Sequence, residues 1–280
     1  MNRSGDQRED PTAPEAELSD EQLLRYSRQM FLPEVDHAGQ LRLARSSVLV
    51  LGLGGLGSPA AVYLAGAGVG RMVLADADSV DTSNLHRQIL HRSSGVGRPK
   101  TESAHETLAA INPDVLIETH GCRLKGDALL EVIAGVDAVV DGTDNFESRF
   151  EINRACLALR KPLIYGAVVG MEGQASVFRA DLDASPCYAC LYAGVAGQTE
   201  AGRPGSNWEN CSGQGVLGPV AGIIGCIQAT ETLKLLLGVA GGLLGRLLLV
   251  DARSMEFHWF KLAKNPGCPA CGGTAVGRGA

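Results

Sequence analysis

A cluster of glycines followed by an aspartate gives this chain its first chemical signal. Gly52, Gly54 and Gly57 fit G-x-G-x-x-G, with Gly55 between them. Glycine supplies positive φ in such a turn and lets the backbone approach a phosphate that a Cβ would hold off. Ser58 and Pro59 are helix-start signals. A helix over Ala60–Gly68 would aim its unpaired N–H groups at an anion. Asp76 ends the next strand, where a carboxylate can hold ribose hydroxyls. The competing reading is a tight turn that lets a helix pack close to a sheet.

Downstream cations extend the signal. Asn84, Arg87 and Lys100 together suit a polyphosphate, because arginine forks onto phosphate oxygens and lysine acts as a point charge. Lys100 opens a predicted helix running to Ile111, where a cation is unfavourable unless it faces an anion. Three ordinary surface side chains are the alternative. Asp144 follows a buried strand, Val136–Val140, within Asp141-Gly142-Thr143-Asp144-Asn145. It suits either a Mg²⁺ ion bridging phosphate oxygens or the N-cap of a helix over Phe146–Leu159. Arg28 clusters with Arg25, Tyr26 and Gln29 at the end of a helix over Leu18–Gln29. On residue type alone these are a solvated basic helix terminus.

The cysteines carry a second chemistry. Cys187-x-x-Cys190 and Cys268-x-x-Cys271 have the spacing of a tetrahedral Zn²⁺ site; two redox pairs or buried thiols are the alternatives. Cys211 falls in a stretch over 193–215 rich in Gly, Ser, Asn and Gln, read as a mobile loop. It is either an accessible reactive thiol or an incidental surface cysteine.

The elements that must position these residues alternate between strand and helix. Val48–Leu51 reads as a strand buried on both faces. Ser19 and Gln22 form a capping box for the first helix, and a second short helix spans Val35–Ala44. Val115–His120 reads as a strand and Gly126–Ile133 as a helix. Pro162–Val168 and Gln174–Phe178 read as a hairpin joined through Gly170–Gly173, so the sheet turns mixed there. Pro219–Leu237 is a long helix with Gly218, Ala221, Gly222 and Gly225 suited to close packing. Leu247–Val250 and Met255–Trp259 are late strands. The fold class expected is α/β: a Rossmann-like doubly wound sheet, mainly parallel, with antiparallel C-terminal strands and a Cys₄ zinc knuckle. Residues 1–17 read as a disordered polar tail, and 18–280 as one domain.

Composition narrows the classes. Lys+Arg number 25 against 31 Asp+Glu in 280 residues, a formal charge of −6. That argues against nonspecific nucleic-acid binding. No secretory leader is read in the polar N-terminus. The apolar stretch Val48–Ala75 is broken by glycines, a proline and an arginine. Val216–Leu237 carries Pro219, Gln228, Glu231 and Lys234, leaving less than the about 20 residues a membrane span needs. The expected setting is the cytoplasm, away from membranes, where eight cysteines favour metal binding or catalysis over disulfides.

Taken together, the motifs resemble the MoeB/ThiF family, relatives of the ubiquitin-activating enzymes. The resemblance rests on Arg25-Tyr26-Ser27-Arg28-Gln29, Gly52-Leu53-Gly54-Gly55-Leu56-Gly57, Ser83-Asn84-Leu85-His86-Arg87-Gln88 and Gly97-Arg98-Pro99-Lys100. It also rests on Gly142-Thr143-Asp144-Asn145, Met171-Glu172-Gly173-Gln174 and the cysteine pairs. It implies ATP rather than NAD, and adenylation of the C-terminal glycine of a ubiquitin-like sulfur carrier ending in Gly-Gly, of ThiS or MoaD type. Thiamine or molybdopterin biosynthesis would be the setting.

By that resemblance Gly55 and Asp76 are the backbone and ribose contacts of ATP, beside Gly52, Gly54 and Gly57 of the glycine pattern. Ser83, Asn84, Leu85, His86, Arg87 and Lys100 are phosphate ligands, and Asp144 is the magnesium-site acid, with Asn145 beside it. Arg28 reaches the triphosphate of the other subunit, implying a homodimer. Cys187, Cys190, Cys268 and Cys271 bind zinc. Cys211 matches a loop cysteine that some members use covalently, and its surroundings look closer to ThiF than to MoeB. A cysteine desulfurase or other sulfur donor is a further expected partner. Three rivals stay open: an NAD-dependent oxidoreductase, an enzyme that adenylates a tRNA base or a peptide, and a non-enzymatic zinc scaffold.

Overall fold

The computed structural model describes residues 17–192 and 215–272. Its centre is a strand of alternating faces. In β1 (Ser47–Leu51), Val48 and Val50 enter one hydrophobic cluster while Leu49 and Leu51 enter the other. Residues 48–51 are at most 5% exposed, and each such aliphatic side chain contributes about 1.5–3 kcal/mol on burial.

β2 (Arg71–Ala75) and β4 (Ala138–Asp141) flank β1 in parallel, and β3 (Leu116–His120) and β5 (Pro162–Val169) extend the sheet outward. β6 (Glu172–Arg179), β7 (Arg246–Asp251) and β8 (Glu256–Lys261) then add antiparallel. The order is β3-β2-β1-β4-β5-β6-β7-β8, so the expected mixed sheet is borne out. The β5–β6 hairpin is tighter than the sequence suggests. Gly170 takes φ +61° and pairing already resumes at Val169 and Glu172.

Helices cover both faces. α3 (Gly57–Gly66), α4 (Lys100–Ile111) and α8 (Gly218–Leu237) pack on one face; α5 (Gly126–Ala134), α6 (Phe146–Leu159) and the short α7 (Tyr188–Leu191) pack on the other. α1 (Asp20–Met30) has the predicted capping box, with Gln22 N–H donating to Ser19 Oγ and Ser19 N–H to Gln22 Oε1. α1 and α2 (Asp36–Arg45) lie against the far end of this layer, where Gln29 Nε2 donates to Ala67 O just past α3.

α8 is long and apolar enough to cross a membrane by length and composition. It instead buries Val220, Ile224, Gln228 and Thr232 in the body of the chain. Gln228 Nε2 donates to Asp141 O at 2.7 Å and to Ile164 O at 3.2 Å. A Cβ on Gly225 would lie 2.3 Å from Leu56 O, and one on Gly218 2.5 Å from His86 O. Gly222, expected in the same close contact, faces open space instead. The N-terminal tail and loop expected over 1–17 and 193–215 lie, apart from their last residues, outside the described residues, and so does Cys211.

Candidate functional site

The strand order reverses between β1 and β4, the place where open α/β sheets bind ligands beyond the strand C-termini. Gly52, after β1, and Gly142, after β4, meet there. A Cβ on Gly52 would stand 2.8 Å from Gly142 O, and Gly52 takes φ +83°. Only glycine fits this position. The two turns open a cavity of about 690 Å³.

Gly52, Gly54 and Gly55 form one wall of it. Asp76, Ser83, Asn84, His86, Arg87, Lys100, Asp144 and Asn145 also line it. The structure therefore brings together most of the residues singled out from sequence. Gly57 and Leu85 do not line the cavity. A Cβ on Gly57 would fall 1.8 Å from Gly52 O, so the turn closes only around a glycine there.

Asp76 ties this turn to β2. Its Oδ2 accepts from Leu53 N–H at 2.7 Å and its Oδ1 from Asp78 N–H at 2.8 Å. Lys100, at the start of α4, faces anions as its position demands, with Nζ 2.7 Å from Asp78 Oδ2 and 3.8 Å from Asp76 Oδ2. Arg87 is held on the turn after the 3₁₀ segment Thr82–Asn84, where Nη2 donates to Asn84 Oδ1 at 2.8 Å and Nη1 to Ser83 O at 3.3 Å. Asp81 caps that segment, and its bonds from the Ser83 hydroxyl and N–H hold its carboxyl below the usual range.

The structure separates the two readings of Asp144. Asn145 caps α6, its Oδ1 accepting from Ser148 N–H at 2.9 Å. Asp144 is thereby exposed and lines the cavity. A magnesium ion takes one or two carboxylates and completes its shell with phosphate oxygens and water, and Asp144 offers such a carboxylate.

Several residues here escaped the sequence reading. Arg149 on α6 is 1% exposed; Nη2 donates to Thr143 O at 2.7 Å and its guanidinium lies 5.5 Å from the Tyr165 ring centroid. Asp141 is fully buried and its Oδ1 accepts from the Thr143 N–H and hydroxyl. Burial pushes its carboxyl pKa up against the opposing pull of Arg149. His91 bridges Ser103 Oγ and Leu53 O at 3.0 Å each, and burial pushes its pKa down. His91 and the Arg149–Tyr165 contact depend on partners distant in sequence, which no local spacing announces. The bonds of Asp141 and Arg149 to Thr143 are local, within the Asp141–Arg149 turn and helix start, and a closer reading of that stretch could have found them.

Arg28 is not in this cavity. It sits exposed in the last turn of α1. Tyr26 and Gln29 anchor that helix to Asn112 and Ala67, which follow the C-termini of α4 and α3. The cavity lies at the opposite ends of those helices, about 15 Å away by their rise per residue.

The four knuckle cysteines converge at the other side of the sheet. Their Sγ atoms all lie within 4.8 Å of one another. Cys187–Cys190, Cys187–Cys268 and Cys190–Cys271 are 3.9, 3.7 and 3.4 Å apart. A Zn–S bond of about 2.3 Å sets the tetrahedron edge at about 3.8 Å, so the donor set fits zinc. Asn265 N–H points at Cys190 Sγ, 3.5 Å away.

Comparison with known proteins matches the ThiF family over residues 26–270. A molybdopterin-synthase adenylyltransferase of Salmonella typhimurium is 45% identical over 257 residues, covering 92% of this chain and 99% of that protein. The adenylyltransferase and sulfurtransferase MOCS3 of Aedes aegypti is 44% identical over 91% of this chain but only 56% of its own length. The chain thus spans little more than half of that relative. The crystal structure of E. coli MccB superposes with a TM-score of 0.75 at 21% identity, over 91% of this chain and 74% of that one. That likeness bears on the fold alone.

Proposed function

The chain belongs to the ThiF family, and from that membership we propose that it is an ATP-dependent adenylyltransferase. Its substrate is the C-terminal glycine carboxylate of a ubiquitin-like sulfur carrier. One observation carries the reading: the glycine turn, Arg87, buried Lys100 and exposed Asp144 share one cavity at the switch point of the sheet. A hydride-transfer enzyme has no use for that grouping of cations.

The carrier's terminal carboxylate is ionised at neutral pH, with a free value of about 3.3–3.7, so no general base is needed. One of its oxygens bonds to the α-phosphorus of ATP. The bond to the bridging oxygen breaks, and pyrophosphate leaves with that electron pair. The chain's task is alignment and charge neutralisation. Arg87 forks onto phosphate oxygens, Lys100 exchanges Asp78 for a phosphate, and Asp76 orients the ribose. Asp144 would hold a magnesium ion, whose charge would offset that building on the leaving pyrophosphate. Arg28 serves the site of a second copy in a homodimer. Cys211 is the proposed sulfur-handling thiol after adenylation.

Cys187, Cys190, Cys268 and Cys271 would hold zinc as a clamp joining α7 to the C-terminal segment, worth about 10–16 kcal/mol in comparable structural sites. Residues 18–280 form one adenylation domain in this reading. The name of the Salmonella relative favours a molybdopterin-type carrier over a thiamine-type one.

Exchange of labelled pyrophosphate into ATP tests the function. It should require a Gly-Gly-ending carrier and disappear in Asp144→Ala. No exchange in the intact protein, or full exchange in Asp144→Ala, overturns the assignment.

A further inference from the structure

Gln88 closes the segment that carries Arg87, yet nothing above gives it a role. Its backbone is fixed: the N–H groups of Arg87 and Gln88 both donate to Asn84 O at 3.1 Å, and His91 N–H donates to Gln88 O at 3.0 Å. The side chain is 4% exposed and lines the cavity. Its Oε1 is buried with no partner among the described residues. Its Nε2 lies 3.6 Å from where a Gly54 Cβ would stand, so that end of the amide faces the glycine turn.

Burying an unpaired amide oxygen costs stability, and a leucine would fill the same space without that cost. Folding alone gives no reason for an amide here. That cost falls on Oε1, while it is the other end of the amide, Nε2, that faces the turn. Gly54, Arg87 and Lys100 line the same cavity, so a phosphate chain lying against the turn would meet the amide. We infer that Gln88 is a further nucleotide ligand, its amide donating from Nε2 to a phosphate oxygen held at the Gly52–Gly55 turn. As a neutral donor it adds a hydrogen bond without adding charge. The inference rests on the nucleotide reading of this cavity and deepens it.

The test compares the intact chain with Gln88→Leu and Gln88→Glu by calorimetric titration with ATP and magnesium, and separately with adenosine. Gln88→Leu should bind ATP roughly ten- to a hundred-fold more weakly, the loss expected for one bond to a charged group. Its adenosine affinity and its melting temperature without ligand should not fall. Gln88→Glu, which keeps the shape but sets a carboxylate against the phosphates, should weaken ATP further and spare adenosine. Wild-type ATP affinity in both variants overturns the assignment. So does an equal loss for adenosine, which would move the contact to the nucleoside. An intact chain that binds no ATP would overturn the nucleotide reading itself.

Discussion

Lys100 Nζ stands 2.7 Å from Asp78 Oδ2, a pairing of a buried ammonium with a mostly exposed carboxylate. The lysine is 4% exposed, and an ammonium so far from water needs an anion beside it. Asp78 can swing into solvent while Lys100 cannot, so a phosphate oxygen and the Asp78 carboxylate are alternative partners for one cation.

That competition predicts opposite effects at the two residues. Asp78→Asn should lower stability without nucleotide by about 1 kcal/mol, discounted because one partner is exposed. It should also enlarge the rise in melting temperature that ATP gives. Lys100→Ala should cut pyrophosphate exchange by about a hundred-fold or more. An unchanged response of Asp78→Asn to ATP in a thermal-shift titration would show that the carboxylate does not compete.

Two glycines of one motif are expected to fail differently. A methyl on Gly57 would overlap Gly52 O at 1.8 Å, backbone against backbone. Gly57→Ala should therefore cost about 3 kcal/mol or more, and little folded protein is expected. At Gly54 the nearest atom is Gln88 Nε2 at 3.6 Å, ordinary contact. Gly54→Ala should melt like the parent chain but bind ATP about ten-fold more weakly, because the methyl occupies the cavity wall. Denaturant unfolding paired with ATP titration separates the two.

This pair also marks how far the sequence could be read. Strand, glycine turn, helix and terminal acid are local features, and so are the Ser19–Gln22 box and the cysteine pairs. Their chemistry is complete within a few residues, and the structure has them where spacing put them. Which glycine meets a ligand and which closes the turn depends on where Gly52 O lies in space, which no spacing states. The same holds for Arg149 against the Tyr165 ring, His91 between Leu53 and Ser103, and Gln228 reaching across to Asp141 O. Asp144 and Asn145 are adjacent with similar capping propensity, so only the backbone geometry tells cap from cavity residue.

Asp141 should give the chain a pH-dependent weakness. Burial raises its carboxyl above the unfolded value, more than Arg149 and Thr143 lower it. A carboxyl raised in the folded state binds its proton more tightly there than when unfolded. Its contribution to stability is fully present below the unfolded pKa and is lost as pH rises through the folded one. Asp141→Asn, whose Oδ1 can still accept from Thr143, should be more stable than the parent at neutral pH, with the difference shrinking toward acid. Arg149→Met should destabilise by about 3–5 kcal/mol by leaving the buried carboxylate uncompensated. Urea unfolding across a pH series checks both. An Asp141→Asn difference that grows toward acid would mean the carboxyl is held ionised instead.

Arg28 poses the sharpest question about assembly. It cannot reach the cavity of its own chain, because α1 is anchored by Tyr26 to Asn112 and by Gln29 to Ala67, at the far ends of α4 and α3. If it acts in catalysis it must act on a second copy. Leu24, Phe31 and Leu32 on and beside α1 are exposed apolar side chains, at 77, 74 and 53%, and a neighbouring subunit would cover them. Arg28→Ala and Lys100→Ala should each cut pyrophosphate exchange by about a hundred-fold or more when assayed alone. In a mixed dimer, the Lys100→Ala protomer supplies Arg28 to the site whose own Lys100 is intact, and the other site lacks both. Random reassortment makes half of the dimers mixed, each with one working site of two, so the mixture should recover roughly a quarter of wild-type exchange. Activity that stays at the level of the single variants after subunit exchange, in a mixture shown to contain mixed dimers, would place Arg28 outside the reaction.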